Sequence, residues 1–349
     1  MSAIILLTLI GIVFVYSAGT YWGKVHYGNT APFLFKQLIY LGVAVGAFYV
    51  VSNSSLLRME KSWTILYIFS LLLLIAVLIP GIGAVRNGSQ SWIAFGPLSI
   101  QPAEFAKIAL LVKLSFVLAR KKSTERTIQL SHFVLILLPA SLIMLQPDFG
   151  SAFILLVSSF ALLFIAGYPI RFYVFLMMIG ISGLVGLIMA APYRLKRIEA
   201  YLDPWSDPLG SGFQAIQSLL AIGPAGLFGH GFGNSRQKYL YLPEPQNDFI
   251  FSIIAEETGF IGATLIVITF AVALYSGYAL AVRTQQLSYY YSVAALISML
   301  GFQAFLNIGV VSGLLPVTGV TLPFISYGGS SLMSAWLIVG VIWNFTKRI

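Results

Sequence analysis

Long apolar runs follow one another along almost the whole chain, separated by short polar or Gly/Pro-containing stretches. In hydrocarbon every backbone donor and acceptor needs a partner within the segment, and these runs are far too long for barrel strands, so they predict spanning helices. The pattern places ten, over 3–18, 33–51, 63–80, 101–119, 131–147, 149–167, 172–191, 249–277, 286–311 and 327–346. Gln146-Pro147-Asp148 interrupts the stretch 131–167, which also reads as one long broken element. The expected fold is an all-α polytopic membrane protein, with residues 1–349 forming a single membrane domain.

Composition agrees: 58% of residues are hydrophobic and 9% charged, which excludes a soluble domain. The first span starts at Met1 with no basic leader and no small-residue cleavage site, so it reads as a span rather than a signal peptide. There are no cysteines, so disulfide and thiol chemistry are excluded.

Charge sets the orientation. With the N-terminus inside, the inner loops and tail hold Arg58, Lys61, Arg120, Lys121, Lys122, Arg126, Arg171, Arg283, Lys347 and Arg348, whereas the outer short loops hold Lys24 and Arg86. Both termini are therefore expected in the cytoplasm, and the net charge of +9 is partly this bias rather than a sign of nucleic-acid binding. Among the eleven acids, Asp148, Glu199, Asp203, Asp207 and Glu244 fall outside, with Glu104 and Asp248 at outer helix ends. The chemistry is expected on the outer face.

Residues 192–248 form the one large loop, placed outside between the seventh and eighth spans and too small to be an independent enzyme domain. Arg194, Lys196 and Arg197 open it, Arg236 and Lys238 come late, and a weakly apolar helix carrying Gln214, Gln217 and Ser218 lies between. Gly223, Gly226, Gly229, Gly231 and Gly233 follow that helix. They serve either as simple turns or, with cations on both flanks, as a setting for phosphate or pyrophosphate.

Ionisable groups at membrane depth are functional candidates by default. Glu104 and Lys107 stand three apart on one helix, close enough to pair, and such a pair also serves packing alone. Asp148 follows Gln146-Pro147, where it suits a helix N-terminus. In "LPEPQNDFIFSIIAEETGFIG", Asn247 is expected to cap the eighth span and Asp248 to lie in its first turn. At about 100° per residue, Asp248, Ser252, Ala255, Gly259 and Gly262 share a small polar stripe that another helix or a ligand can approach. Glu256 falls about 12 Å deeper and Glu257 on the far side. Further on, "GLLPVTGVTLPFISYGGSSL" cannot be a regular span and predicts a loop folded back into the outer side, ending at Ser330 with donors at a helix N-terminus.

The segments "GSQSWIAFGPLSIQPAEFAK", "LQPDFGSA", "DPLGSGFQAIQSLLAIG", "QKYLYLPEPQNDFIFSIIAEETGFIG" and "PVTGVTLPFISYGGSSL" together resemble the SEDS family (shape, elongation, division and sporulation) of bacterial cell-wall polymerases. "RNGSQSWIAFG" and "YLPEPQNDF" are most similar to the FtsW and SpoVE branch, to SpoVE above all, with RodA a near relative. The chain departs from the family pattern mildly, with Asn247 for a common Thr, Thr258 for a common Leu and Ala225 for a usual Gly.

The resemblance implies ten spanning helices and a peptidoglycan glycosyltransferase that polymerises lipid II on the outer face of the bacterial cytoplasmic membrane. It implies a class B penicillin-binding protein as cross-linking partner, and it maps the essential acid onto Asp248. Asp248 is then the expected general base. Arg194, Lys196, Arg197, Arg236 and Lys238, with Gln214 and Ser330, are expected to meet the lipid pyrophosphate, and Glu104, Lys107 and Asp148 to support the site. The setting suits a divalent cation, Mg or Mn, between pyrophosphate and acid, without fixing its ligands. A lipid II flippase and a non-enzymatic scaffold are the alternatives; a flippase needs polar groups through the whole bilayer depth, and here they gather at the outer end.

Overall fold

The computed structural model describes residues 1–86, 88–95, 98–120, 130–174, 177–178 and 201–347. Helices α1 (Ser2–Tyr27), α2 (Pro32–Asn53) and α3 (Glu60–Leu78) come first. A small sheet follows, then α4 (Pro102–Ala119), α5 (Leu130–Met144) and α6 (Phe149–Ile165). The short α7 (Phe213–Ile222) lies in the large loop, ahead of α8 (Ile250–Arg283), α9 (Leu287–Val311) and α10 (Gly329–Thr346).

Among the described residues, six helices are long and apolar enough to cross a membrane: α1, α2, α3, α8, α9 and α10. The apolar α5 and α6 are shorter, and α4 carries Glu104, Lys107 and Lys113 along its length. Each matches a predicted span to within a few residues at most ends, although α1 and α8 run further than expected, to Tyr27 and Arg283. The seventh predicted span, 172–191, falls largely outside the described residues.

Helix boundaries follow local chemistry. Pro32 and Pro102 stand at the first turns of α2 and α4, where a missing N–H costs nothing. Gly28 ends α1 in the left-handed region. The Gln146-Pro147-Asp148 interruption separates α5 from α6, and Asp148 caps α6 by accepting the Ser151 N–H at 3.1 Å. The bundle packs α10 on α2, α8 on α9, α3 on α4, and α9 on both α4 and α6. Close approach uses small residues, as where Gly11 of α1 lies against the backbone of Phe324 and Ile325.

The predicted loop between the third and fourth spans contains an antiparallel sheet of β1 (Gly83–Arg86), β2 (Ser89–Phe95) and β3 (Leu98–Ile100), in that order. Gly83 pairs with Ile93, and Ile93 with Ile100. Ser89 donates to the Gln146 carbonyl at 2.6 Å, and Ser330 donates to the Ser99 carbonyl at 3.2 Å. The sheet thus ties the α5–α6 break to the start of α10.

Candidate active site

The segment between α9 and α10 is folded back and non-helical, as its prolines and glycines require, and its carbonyls are taken up by amides from the bundle. Asn307, deep in α9, donates to the Val320 carbonyl at 2.7 Å and to the Asp248 carbonyl at 2.6 Å. Gln303 donates to the Thr321 carbonyl at 3.2 Å, and the Tyr327 N–H to the Gln246 carbonyl at 2.9 Å. Gly319 has a φ of 70°, and a side chain there would come within 4.0 Å of the Asp248 carboxylate. On the other side, the start of α6 closes on the same segment, where a side chain at Gly150 would meet the Thr318 carbonyl at 2.7 Å. Residues 318–320 therefore pass between the N-terminal ends of α6 and α8, each of which carries an aspartate.

Asp248 is half-buried just ahead of α8. Burial pushes its carboxyl up to about 6; its own backbone N–H opposes the rise and the charge of Glu244 adds to it. A carboxyl poised there is mostly ionised at neutral pH and is suited to accept a proton from a weak acid. Asn247 does not cap α8: its side-chain amide donates to Glu244 at 2.7 Å, and Phe249 occupies the cap position without a side-chain bond.

The polar stripe expected along α8 is filled by protein. Ser252 shares a hydrogen bond with Ser218 of α7 at 2.9 Å, and Ser218 donates to the Val311 carbonyl at 2.6 Å. At Gly259 the helix breaks, with φ 69° and ψ −168°. The Gly-rich segment fills the break: His230 and Gly231 donate to the carbonyls of Glu256 and Glu257, both at 3.0 Å. Phe260 and Ile261 donate to those of Gly226 and Leu227, at 2.9 and 3.2 Å. The amides of His230 and Gly231 are thus committed to a helix, which corrects the phosphate-cradle reading for that part of the glycine run.

Two expected anion-binding residues are also committed elsewhere. Lys238 is buried and bridges Glu257 at 3.2 Å, with the Gly233 carbonyl and Ser17 as further partners. Ser330 is buried, accepts the Gln101 N–H at 2.9 Å and donates into β3. Glu256 and Glu257, placed by helical geometry on different faces, both hold residues 235–238: Glu256 accepts from Ser235 at 2.5 Å and from the Arg236 N–H at 2.8 Å, and Glu257 accepts from Ser17 of α1 at 2.6 Å. Arg236 itself is exposed and Gln214 is half-buried on α7, while Arg194, Lys196 and Arg197 lie outside the described residues.

The supporting residues behave as the spacing predicts. Lys107 and Glu104 pair at 2.8 Å, and Ser334 of α10 donates to the second Glu104 oxygen at 2.8 Å. Asp148 receives Gln101 at 2.6 Å besides capping α6. No group of three or more His, Asp or Glu side chains gathers in metal-binding geometry among the described residues. A Mg or Mn ion would need substrate oxygens to complete its shell, and the chemistry below rests on the protein's own groups.

The family model described as cell cycle protein, covering FtsW, RodA and SpoVE, matches residues 1–348. The chain belongs to the FtsW/RodA/SpoVE family. It is 46% identical over 346 residues to stage V sporulation protein E of Bacillus subtilis, covering 98% of this chain and 94% of that one. It is 40% identical to a probable peptidoglycan glycosyltransferase FtsW of Saccharophagus degradans, covering 100% of this chain and 92% of the relative. Among solved structures, a chain from a peptidoglycan synthase complex that coordinates polymerization and crosslinking is similar at a TM-score of 0.76 and 34% identity, covering 97% of both chains. The rod shape determining protein RodA of Thermus thermophilus follows at 0.72 and 29%, covering 99% of this chain and 95% of the other. Membership of this family makes the chain an integral membrane protein with a RodA-like fold.

Sequence reasoning missed Asn307, whose signal was a pair of amides, Gln303 and Asn307, one turn apart within an apolar helix, and Ser17, Ser235 and Gly319, which carry no local signal.

Proposed function

We propose that the protein is a peptidoglycan glycosyltransferase that polymerises lipid II on the outer face of the bacterial cytoplasmic membrane. The observation that carries this reading is the half-buried Asp248 carboxyl, raised to about 6 and set between the start of α8 and the folded-back segment at Gly319. An acceptor sugar hydroxyl attacks the anomeric carbon of the lipid-linked donor while Asp248 takes its proton; the bond from that carbon to the pyrophosphate oxygen breaks, and configuration inverts. Arg236, with Arg194, Lys196 and Arg197, meets the charge that develops on the leaving pyrophosphate. The fine topology proposed is ten spans with both termini cytoplasmic. A class B penicillin-binding protein cross-links the product, a reading supported by the likeness to the peptidoglycan synthase complex.

Purified protein in proteoliposomes, given lipid II with no other polymerase present, should make glycan strands. Asp248→Asn keeps the shape and removes the base, so polymer should fall at least about 100-fold. Strand synthesis undiminished in that variant would remove Asp248 from the mechanism, and translocated monomer without polymer would favour the flippase.

A further inference from the structure

Beside α7 lies an open cavity of about 590 Å³ lined by Gln217, Leu220, Arg236, Gln237, Tyr239 and Tyr241. Its lining combines two tyrosines with two amides and a guanidinium. Tyr239 and Tyr241 are 50% and 58% exposed, so their rings are open to a ligand. Gln237 is nine-tenths buried, and its side-chain oxygen has no hydrogen-bond partner. A buried amide oxygen left unpaired is costly, and a ligand N–H or O–H entering the cavity would satisfy it.

The rim is built to hold a shape. Glu256 fixes the backbone N–H groups of Arg236 and Gln237, at 2.8 and 3.4 Å. Tyr239 packs edge-on against Tyr21 of α1, with ring centroids 4.9 Å apart. Leu240, between the two tyrosines, holds a φ of 68°, the kind of local strain that rigid surroundings sustain at ligand clamps. Among the described residues lining the cavity, only Arg236 is charged.

We propose that this cavity is a saccharide subsite that holds the N-acetylated amino-sugar chain next to the unit reacting at Asp248. A pyranose ring presents one face of C–H groups, which suits the electron-rich face of an aromatic ring. Acetamido and hydroxyl groups supply both donors and acceptors, which suit Gln217 and Gln237. Position agrees: Ser218, next to Gln217, bonds Ser252, four residues after Asp248, so the helix that lines the cavity packs against the start of α8 where the carboxylate stands. The assignment rests on the glycosyltransferase reading and names where that enzyme grips its polymer. A strand held here stays bound between additions.

The test uses the full chain in detergent micelles and a lipid-free β-1,4 oligomer of N-acetylglucosamine, with saturation-transfer NMR as readout. Wild-type protein should saturate the ring C–H protons. Tyr241→Ala and Gln237→Leu should each weaken binding about ten-fold, while Tyr241→Phe, which keeps the ring, should bind as wild type. In lipid II polymerisation Tyr241→Ala should give shorter strands. Equal oligomer binding by wild type, Tyr241→Ala and Gln237→Leu would overturn the subsite, as would absence of binding by a wild-type protein that polymerises. Failure of the wild type to polymerise would instead count against the catalytic reading, and the binding comparison would still decide the subsite.

Discussion

The side-chain amide of Asn307 lies 2.6 Å from the main-chain carbonyl of Asp248 and 2.7 Å from that of Val320, so one residue of α9 joins the start of α8 to the folded-back segment facing it. Asn307→Leu leaves both carbonyls without this donor. It should lower stability by about 1–3 kcal/mol in thermal unfolding and reduce polymer synthesis beyond what the unfolded fraction explains. Full activity per folded molecule would separate Asn307 from the placement of Asp248.

The raised Asp248 carboxyl predicts a pH profile. Below about 6 the group holds its proton, so kcat/KM should fall about ten-fold per pH unit with an apparent midpoint near 6. Glu244→Gln removes a neighbouring negative charge and should move the midpoint lower. Stability follows with a definite sign. Between the ordinary value of 3.8 and about 6, the folded protein keeps a proton that the unfolded chain has released. This group therefore lowers stability as pH rises through that window and adds no slope above it. Thermal scans of Asp248→Asn should lack that component.

Lys238 and Glu257 form a buried ion pair, so removing one charge should cost more than removing both. Lys238→Met or Glu257→Gln alone should destabilise by about 3–5 kcal/mol, and the double variant by less than the sum. Chemical denaturation of all four proteins gives the coupling. Normal folding of Lys238→Met with weakened lipid II binding would restore the anion-binding role first expected for this lysine.

Gly259→Ala should fail to pack, because the residue needs a φ of 69° and its side chain would lie 2.4 Å from the Gly229 nitrogen. A melting temperature well below wild type is expected. Gly46→Ala in α2, where nothing lies within 4 Å, should be neutral or stabilising by up to about 1 kcal/mol. Equal effects at both positions would show that the break is not specified by glycine.

The helices were legible because each apolar run is a complete statement of its own hydrogen bonding in lipid. The sheet before α4 was read as plain loop, although Asn87-Gly88 is a strong hairpin signal and Arg86 pairs with Ser89 across it. Asp248 stood out through charge at a helix start. Lys238 did not reveal its burial, because its partners Ser17 and Glu257 come from two different helices and a lone lysine in a polar loop reads as exposed. The break at Gly259 was hidden for the same reason: one glycine inside an apolar run looks tolerable until a distant segment supplies the missing bonds.

That splice also orders the protein's biogenesis. Residues 226–231 precede α8 in the chain, so they leave the ribosome before the helix whose gap they fill. The carbonyls of Glu256 and Glu257 and the amides of Phe260 and Ile261 would otherwise enter lipid unpaired, at several kcal/mol each. The upper turns of α8 should therefore settle into the bilayer only together with the loop synthesised before them, and a nascent chain lacking 226–231 should stall at this helix rather than at any earlier one.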